Sequence, residues 1–205
     1  MKLLANNIIR WTSWTVLTIL FALSCVLLAS WQWDRREQAV ERVTRVYENY
    51  DLGAVNYGDL SNLDEAEIAS LEWRPVSISG EYLTDQSLLV RNRPVAAQPG
   101  FIQLIPMRTI DGPIVLIERG WISADSNLAP VATFLPEQRV KEITGRLRLS
   151  ELSPGRNSPA GQITSINLEE LADRFGDAYD SRFYLRMVTE NPPESSSPQS
   201  LGKPI

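Results

Sequence analysis

Residues 14–31 read WTVLTILFALSCVLLASW, a run without a single charge. With the next two positions it supplies about 20 residues, and at ~1.5 Å of rise per residue such a helix crosses the ~30 Å hydrocarbon layer of a bilayer. Trp11 and Trp14 stand at one end and Trp31 and Trp33 at the other, where two membrane–water interfaces favour indole rings. The run is longer than the ~10–14 apolar residues of an ordinary core helix. A cleaved signal peptide has a core of about 7–15 residues and then a small-residue cleavage site; here Val26-Leu27-Leu28-Ala29 stays apolar and Trp-Gln-Trp-Asp follows. Lipidation of Cys25 in Ala22-Leu23-Ser24-Cys25 fits poorly, because the apolar run continues beyond it. Cys25 therefore reads as a small apolar side chain inside a bilayer helix.

The chain divides around this segment. Residues 1–13 precede it, the transmembrane helix occupies 14–33, a helical connector 34–71, a β-rich domain 72–190 and a Pro/Ser-rich tail 191–205. Lys2 and Arg10 lie on the short side and Arg35 and Arg36 on the other. Positive charges at both ends leave the orientation open on charge alone. No Arg-rich transit peptide precedes the span, which favours a bacterial plasma membrane.

In the connector, Val40, Val43, Tyr47 and Tyr50 recur at three- and four-residue steps, one apolar stripe on a helix leaving the membrane. Gly53–Gly58 breaks it, and Leu60–Leu71 reads as a short acidic helix capped by Ser61 or Asn62. After residue 72 the period becomes strand-like. Strands are expected at Arg74–Tyr82, Ser87–Arg93, Phe101–Thr109, Ile114–Ile122, Arg139–Leu149 and Arg182–Val188, with a helix at Leu168–Phe175. Within the fifth of these, Lys141, Ile143 and Gly145 share one side, and Val140, Glu142 and Thr144 the other. The fold class is α+β: an N-terminal transmembrane helix, then an antiparallel, barrel-like β-domain with one or two short helices. The tail, NPPESSSPQSLGKPI, reads as disordered.

Composition closes off several functions. The 205 residues include no histidine and one cysteine, so a His-based triad, a Cys/His metal site and an intrachain disulfide are all excluded. A net charge of −5 argues against nucleic acid as a partner. Carboxylates are plentiful but form no recognisable catalytic set. The loop Pro154–Gly161 lacks the lysine of a phosphate loop. The chain reads as a non-enzyme with no metal site. Haem ligation within it would fall to Met1, Met107, Met187, Cys25 or a tyrosine, none of which looks placed for it.

Two groups of residues are candidates for contact. Gln32 and Arg35, three apart, share a helix face at the membrane exit, with Arg36 beside them. They suit either a partner helix or anionic lipid, or simple interfacial anchoring. Ile114-Val115-Leu116-Ile117 is apolar on both faces, as in a doubly buried strand, and Glu118-Arg119-Gly120-Trp121 follows. Arg119 shares strand parity with Ile117 and Trp121, and Arg91 with Arg93. Converging, these arginines would fork onto carboxylates; a structural Arg–Glu pair explains them equally.

Taken in order, Trp31-Gln32-x-x-Arg35, Arg74–Tyr82, Val90-Arg91-Asn92-Arg93, Pro99-Gly100-Phe101 and Val115-Leu116-Ile117-Glu118-Arg119-Gly120-Trp121-Ile122 resemble the SURF1/Shy1 family of cytochrome c oxidase assembly factors. The resemblance covers about residues 25–190. It implies a non-enzymatic helper in maturing the oxidase, around delivery of haem a, with the catalytic subunit and haem a synthase as partners and membrane lipid around the anchor. It also implies a cytoplasmic N-terminus and an extracytoplasmic β-domain. Haem a enters only through this resemblance. Arg119, Gly120 and Trp121, with Arg91 and Arg93, are then the expected partner- or cofactor-facing site, and Gln32 and Arg35 the grip at the membrane surface. The family's second span and its histidine-bearing approach are not among these residues. A reading of another class is a permanent accessory or scaffold subunit of a respiratory complex.

Overall fold

A computed structural model describes residues 2–204, with side chains described from residue 11. The charges expected at Lys2 and Arg10 and the thioether of Met1 lie outside the described side chains. The chain forms two units, Met1–Thr44 and Arg45–Ile205.

Helix α1 runs without a break over Lys2–Asn49. From Trp11 to Trp33 its large apolar side chains are exposed, Leu27 at 70% and Phe21 at 69%. The segment is long and apolar enough to cross a membrane, and hydrocarbon is the solvent that suits such a sleeve. The hydroxyls suit the same solvent: those of Thr15, Thr18, Ser24 and Ser30 donate to the carbonyls of Trp11, Trp14, Leu20 and Leu27 at 2.9–3.0 Å. Arg35 stacks over Trp31 at 5.5 Å and Arg36 over Trp33 at 5.6 Å, so the helix exit carries alternating guanidinium and indole groups.

Within the connector, α1 continues as far as Asn49. A two-residue strand β1 (Val55–Asn56), a 3-10 turn (Tyr57–Leu60) and helix α2 (Glu65–Ser70) follow. The cap of α2 is Asp64 rather than Ser61 or Asn62. Its carboxylate accepts the Glu67 N–H at 2.8 Å, and the Glu67 carboxylate accepts the Asp64 N–H at 2.9 Å, a reciprocal box that neither Ser61 nor Asn62 is placed to make.

The remaining strands are β2 (Pro75–Tyr82), β3 (Leu88–Val90), β4 (Gly100–Thr109), β5 (Ile114–Ser123), β6 (Lys141–Arg148), β7 (Gln162–Ile163) and β8 (Tyr184–Asn191), with α3 at Leu168–Phe175. The sheet order is β1-β2-β6-β8-β5-β4-β3-β7, and a β2–β4 pairing closes the middle five strands into a barrel. Four of the barrel's pairings are antiparallel; β5 and β8 run parallel.

Two cores explain the strand patterns. Val76, Ile78, Ile105, Met107, Val115, Ile117, Ile143, Leu147 and Leu185 fill the barrel. Outside it, Leu168, Leu171 and Phe175 of α3 cover Ile102, Leu104, Ile114 and Leu116 of β4 and β5. The doubly apolar run Ile114–Ile117 is thus buried on both faces, Val115 and Ile117 inward, Ile114 and Leu116 beneath α3. Asn167 starts α3 by accepting the Glu170 N–H at 2.9 Å, and Gly176 ends it at φ +75°.

Candidate functional site

The strand register alters where the charged residues begin. Gln103 pairs with Gly120 but Leu104 pairs with Glu118, so Arg119 is the extra residue of a β-bulge, with Gly120 at φ +143°. The bulge removes the shared parity of Arg119 and Trp121. Arg119 points into the barrel, and Trp121 joins the outer core with Ile114 and Leu116.

Arg119 is 1% exposed. It donates to Glu190 Oε1 and to the Phe134 carbonyl, each at 2.9 Å, and its guanidinium lies 5.2 Å from the centre of the Tyr82 ring. Beside it, Lys141 is fully buried, donates to the Pro192 carbonyl at 2.7 Å and pairs with Glu194 and, at 3.8 Å, Glu190. Burial drives the Tyr82 phenol well above its ordinary pKa. The result is a closed polar layer of two cations and two acids at one end of the barrel.

Glu118 faces the other way and pairs with Arg186 at 2.7 Å. Burial raises its carboxyl pKa, opposed by Arg186 and then by Arg148 and Arg93. Arg148 lies 3.7 Å and Arg186 5.4 Å from the centre of the Trp73 ring. Neighbouring strand residues face opposite sides, so Glu118 and Arg119 each find a distant partner rather than each other.

The tail is seated, not free. Gln199 exchanges backbone hydrogen bonds of 2.8 and 2.9 Å with Trp121. The Gln199 carbonyl lies where a side chain on Gly120 would project. Composition reads this stretch as disordered because it cannot register Glu194 on Lys141 or a backbone pairing to β5.

Arg119, Gly120 and Trp121 are buried in this fold: Arg119 is engaged inside the barrel, Gly120 is covered by the tail, and Trp121 is 6% exposed. Arg91 and Arg93 differ. They line a cleft of about 370 Å³ with Pro94, Pro99, Phe101 and Leu128. They do not converge on Arg119, because β3 ends at Val90 and Asn92 takes φ +58°, which breaks the extended run. Arg93 pairs with Glu151, and its carbonyl accepts the Trp121 Nε1–H at 2.6 Å. In the other unit, Gln32 and Arg35 stand exposed on α1 with Arg36 and Arg42 nearby.

Lys141, Glu190 and Glu194 are the functional-looking residues that sequence reasoning missed. One signal was present: Lys141 shares its strand side with Ile143 and Gly145, and a lysine on a core-facing side must be paired.

The acidic partner of Lys141 has a measurable consequence. Burial opposes ionisation of Glu194, but hydrogen bonds from Lys141 and the Glu137 N–H, with the charges of Lys141 and Arg119, hold its pKa below the ordinary 4.5. A carboxylate depressed in the folded state contributes stability that is present above its unfolded value and lost as pH falls through the folded one. Acidification below pH 4.5 is thus expected to loosen residues 192–199 first. Hydrogen-exchange protection at Trp121 and Gln199 should fall before that at Ile117; simultaneous loss would contradict this order.

Met107 is fully buried in the barrel core, Met187 receives the Tyr82 hydroxyl at 3.6 Å, and Cys25 lies on the apolar sleeve of α1. None of the three opens onto the arginine cleft.

The SURF1 family profile matches residues 19–204. An uncharacterized SURF1-like protein of Mycobacterium bovis is 28% identical over 190 residues, covering 89% of this chain and 69% of the relative. SURF1-like proteins of Rickettsia felis and Rickettsia bellii are 24% and 28% identical, covering 67% and 58% of this chain and 58% and 48% of their own lengths.

Proposed function

The chain belongs to the SURF1 family, and from that premise we propose that it is a membrane-anchored assembly factor for cytochrome c oxidase, assisting haem a insertion or maturation of the catalytic subunit without itself making or breaking bonds. The single observation that carries the reading is the reach of the family match, which takes in both most of the apolar helix and the whole barrel. A barrel packed with aliphatic side chains favours work at surfaces over chemistry in an interior pocket.

In this reading α1 holds the chain in the bacterial plasma membrane with its amino terminus cytoplasmic and the barrel outside. Gln32 and Arg35 meet the catalytic subunit or haem a synthase at the lipid surface. The Arg91–Arg93 cleft is the exposed part of the site on the barrel. The test is deletion of the coding sequence in its host. Purified oxidase should then carry a reduced haem a3 absorbance per copper, restored by expressing the full chain. A normal spectrum would refute the assembly role, and stable one-to-one co-purification with mature oxidase would assign a permanent accessory subunit instead.

A further inference from the structure

We propose that the cleft beside Arg91 is a docking groove for an extended polypeptide segment that sets a carboxylate next to an apolar side chain. For the identity of that partner the inference rests on the assembly reading; for its chemistry it rests on the cleft alone.

Three observations carry it. First, Arg91 is the one cleft charge left unanswered. Arg93 beside it is neutralised by Glu151, whereas the Arg91 side chain has no hydrogen bond, ion pair or ring contact among the described residues. Its Nε is also shielded from solvent without an acceptor. A sheltered donor of this kind gains a charge-assisted hydrogen bond when a carboxylate arrives, and a guanidinium accepts it through two parallel bonds.

Second, the surroundings of that charge are apolar. Pro94, Pro99, Phe101, Ala124 and Leu128 line the same cleft, and Leu128 is 67% exposed at its edge. A volume of about 370 Å³ accommodates a few side chains rather than a folded element. Arginine amid proline and aromatic walls is the composition of an interface centre, where a free inorganic ion would find little to bind.

Third, the backbone here is held in conformations that non-glycine residues avoid. Asn92 and Leu128, which line the cleft, have φ +58° and +59°, and Ala96 and Ala97 form the two-residue turn between Val95 and Gln98 at +48° and +63°. These are four of the chain's five such residues among those described. The two alanines take the positive φ that a two-residue hairpin turn requires, whereas Asn92 and Leu128 stand in the cleft wall itself, where such outliers mark ligand clamps. Charge complementarity within the cleft selects the occupant: with Arg93 neutralised by Glu151, the unpaired Arg91 guanidinium calls for a carboxylate.

The test uses the full chain in its native membrane, with the photo-crosslinker p-benzoylphenylalanine at Leu128 and mass-spectrometric mapping of the adduct. The expected adduct is a polypeptide segment carrying Asp or Glu beside an apolar residue. Arg91→Gln should cut its yield about tenfold or more, the worth of a charged hydrogen bond, while Arg91→Lys retains part of it and the thermal melting of the barrel stays unchanged. A synthetic peptide of the mapped segment should bind the purified chain about tenfold more weakly when its acid is changed to the amide. An adduct with lipid, with haem or with a second copy of this chain overturns the proposal, as does a yield indifferent to Arg91. An Arg91-dependent acidic segment from a protein outside the oxidase would keep the groove and sink the assembly reading. Loss of haem a3 on deletion, with no Arg91-dependent adduct, would do the reverse.

Discussion

Replacing Arg119 with alanine is expected to cost the barrel about 3–5 kcal/mol, the usual penalty for removing one partner of a buried ion pair. For a domain of this size, at roughly 2–4 °C per kcal/mol, the melting temperature should fall by about 6–20 °C. The cause is what remains behind. The side chain of Glu190 is only 6% exposed and would lose its 2.9 Å guanidinium. Lys141 at 3.8 Å is a weaker substitute that is already engaged with Glu194. The Phe134 carbonyl would lose its donor as well. Changing both partners together, Arg119→Leu with Glu190→Leu, removes the stranded charge and should recover much of the loss. Thermal unfolding of the full chain in detergent, followed by circular dichroism, measures both. An Arg119→Ala protein melting within about 2 °C of the parent would show that the pair contributes little. A fall in oxidase haem content on Arg119→Ala should accordingly follow the amount of folded protein and would not locate a docking face.

That distinction shows how far the amino-acid sequence can be read. Where a local rule governs, it was legible: the uncharged run between tryptophans, the period of α3 at Leu168–Phe175, and the doubly apolar Ile114–Ile117, which meets the barrel core on one side and α3 on the other. Where a single residue resets the register, it was not. Alternation puts Arg119 and Trp121 on one face, and the bulge at Gly120 sends them to different cores. A glycine inside a strand is itself a bulge signal, so Gly120 held the missing information. The ion pairs were illegible for another reason. Arg119 meets Glu190 across 71 residues and Glu118 meets Arg186 across 68. Adjacent opposite charges invite a local pairing that strand geometry forbids. Of the candidate site, the arginines Arg91 and Arg93 were visible as charges. Only the fold shows that one is answered by Glu151 and the other is not.

The second large effect is expected at Gly80, where the barrel closes. Strand β2 pairs with β6 up to the Gly80–Lys141 pair and with β4 from the Gly80–Thr109 pair onward, so Gly80 is the one residue joined to both neighbours. A Cβ there would lie 2.9 Å from the Arg108 carbonyl carbon, closer still to its oxygen, and 3.0 Å from Met107 Cγ. The obstacle is backbone, so no rotamer change relieves it, and β2 and β4 must move apart. The three pairs from Gly80–Thr109 to Tyr82–Met107, flanked by the Ile110–Ser79 and Leu83–Pro106 backbone hydrogen bonds, form the closing seam. Gly80→Ala should therefore cost about 3 kcal/mol, the upper part of the overpacking range, and should expose the seam itself. Hydrogen-exchange protection of the Ile110 amide, which donates to the Ser79 carbonyl at 3.0 Å, should fall more than that of Ile117 in the intact β4–β5 pairing. Gly53 has nothing within 4 Å of an added Cβ, and Gly53→Ala should change stability by no more than about 0.5 kcal/mol. Equal melting of the two variants would mean that the seam yields freely, and the β2–β4 pairing would lose its claim to hold the barrel shut.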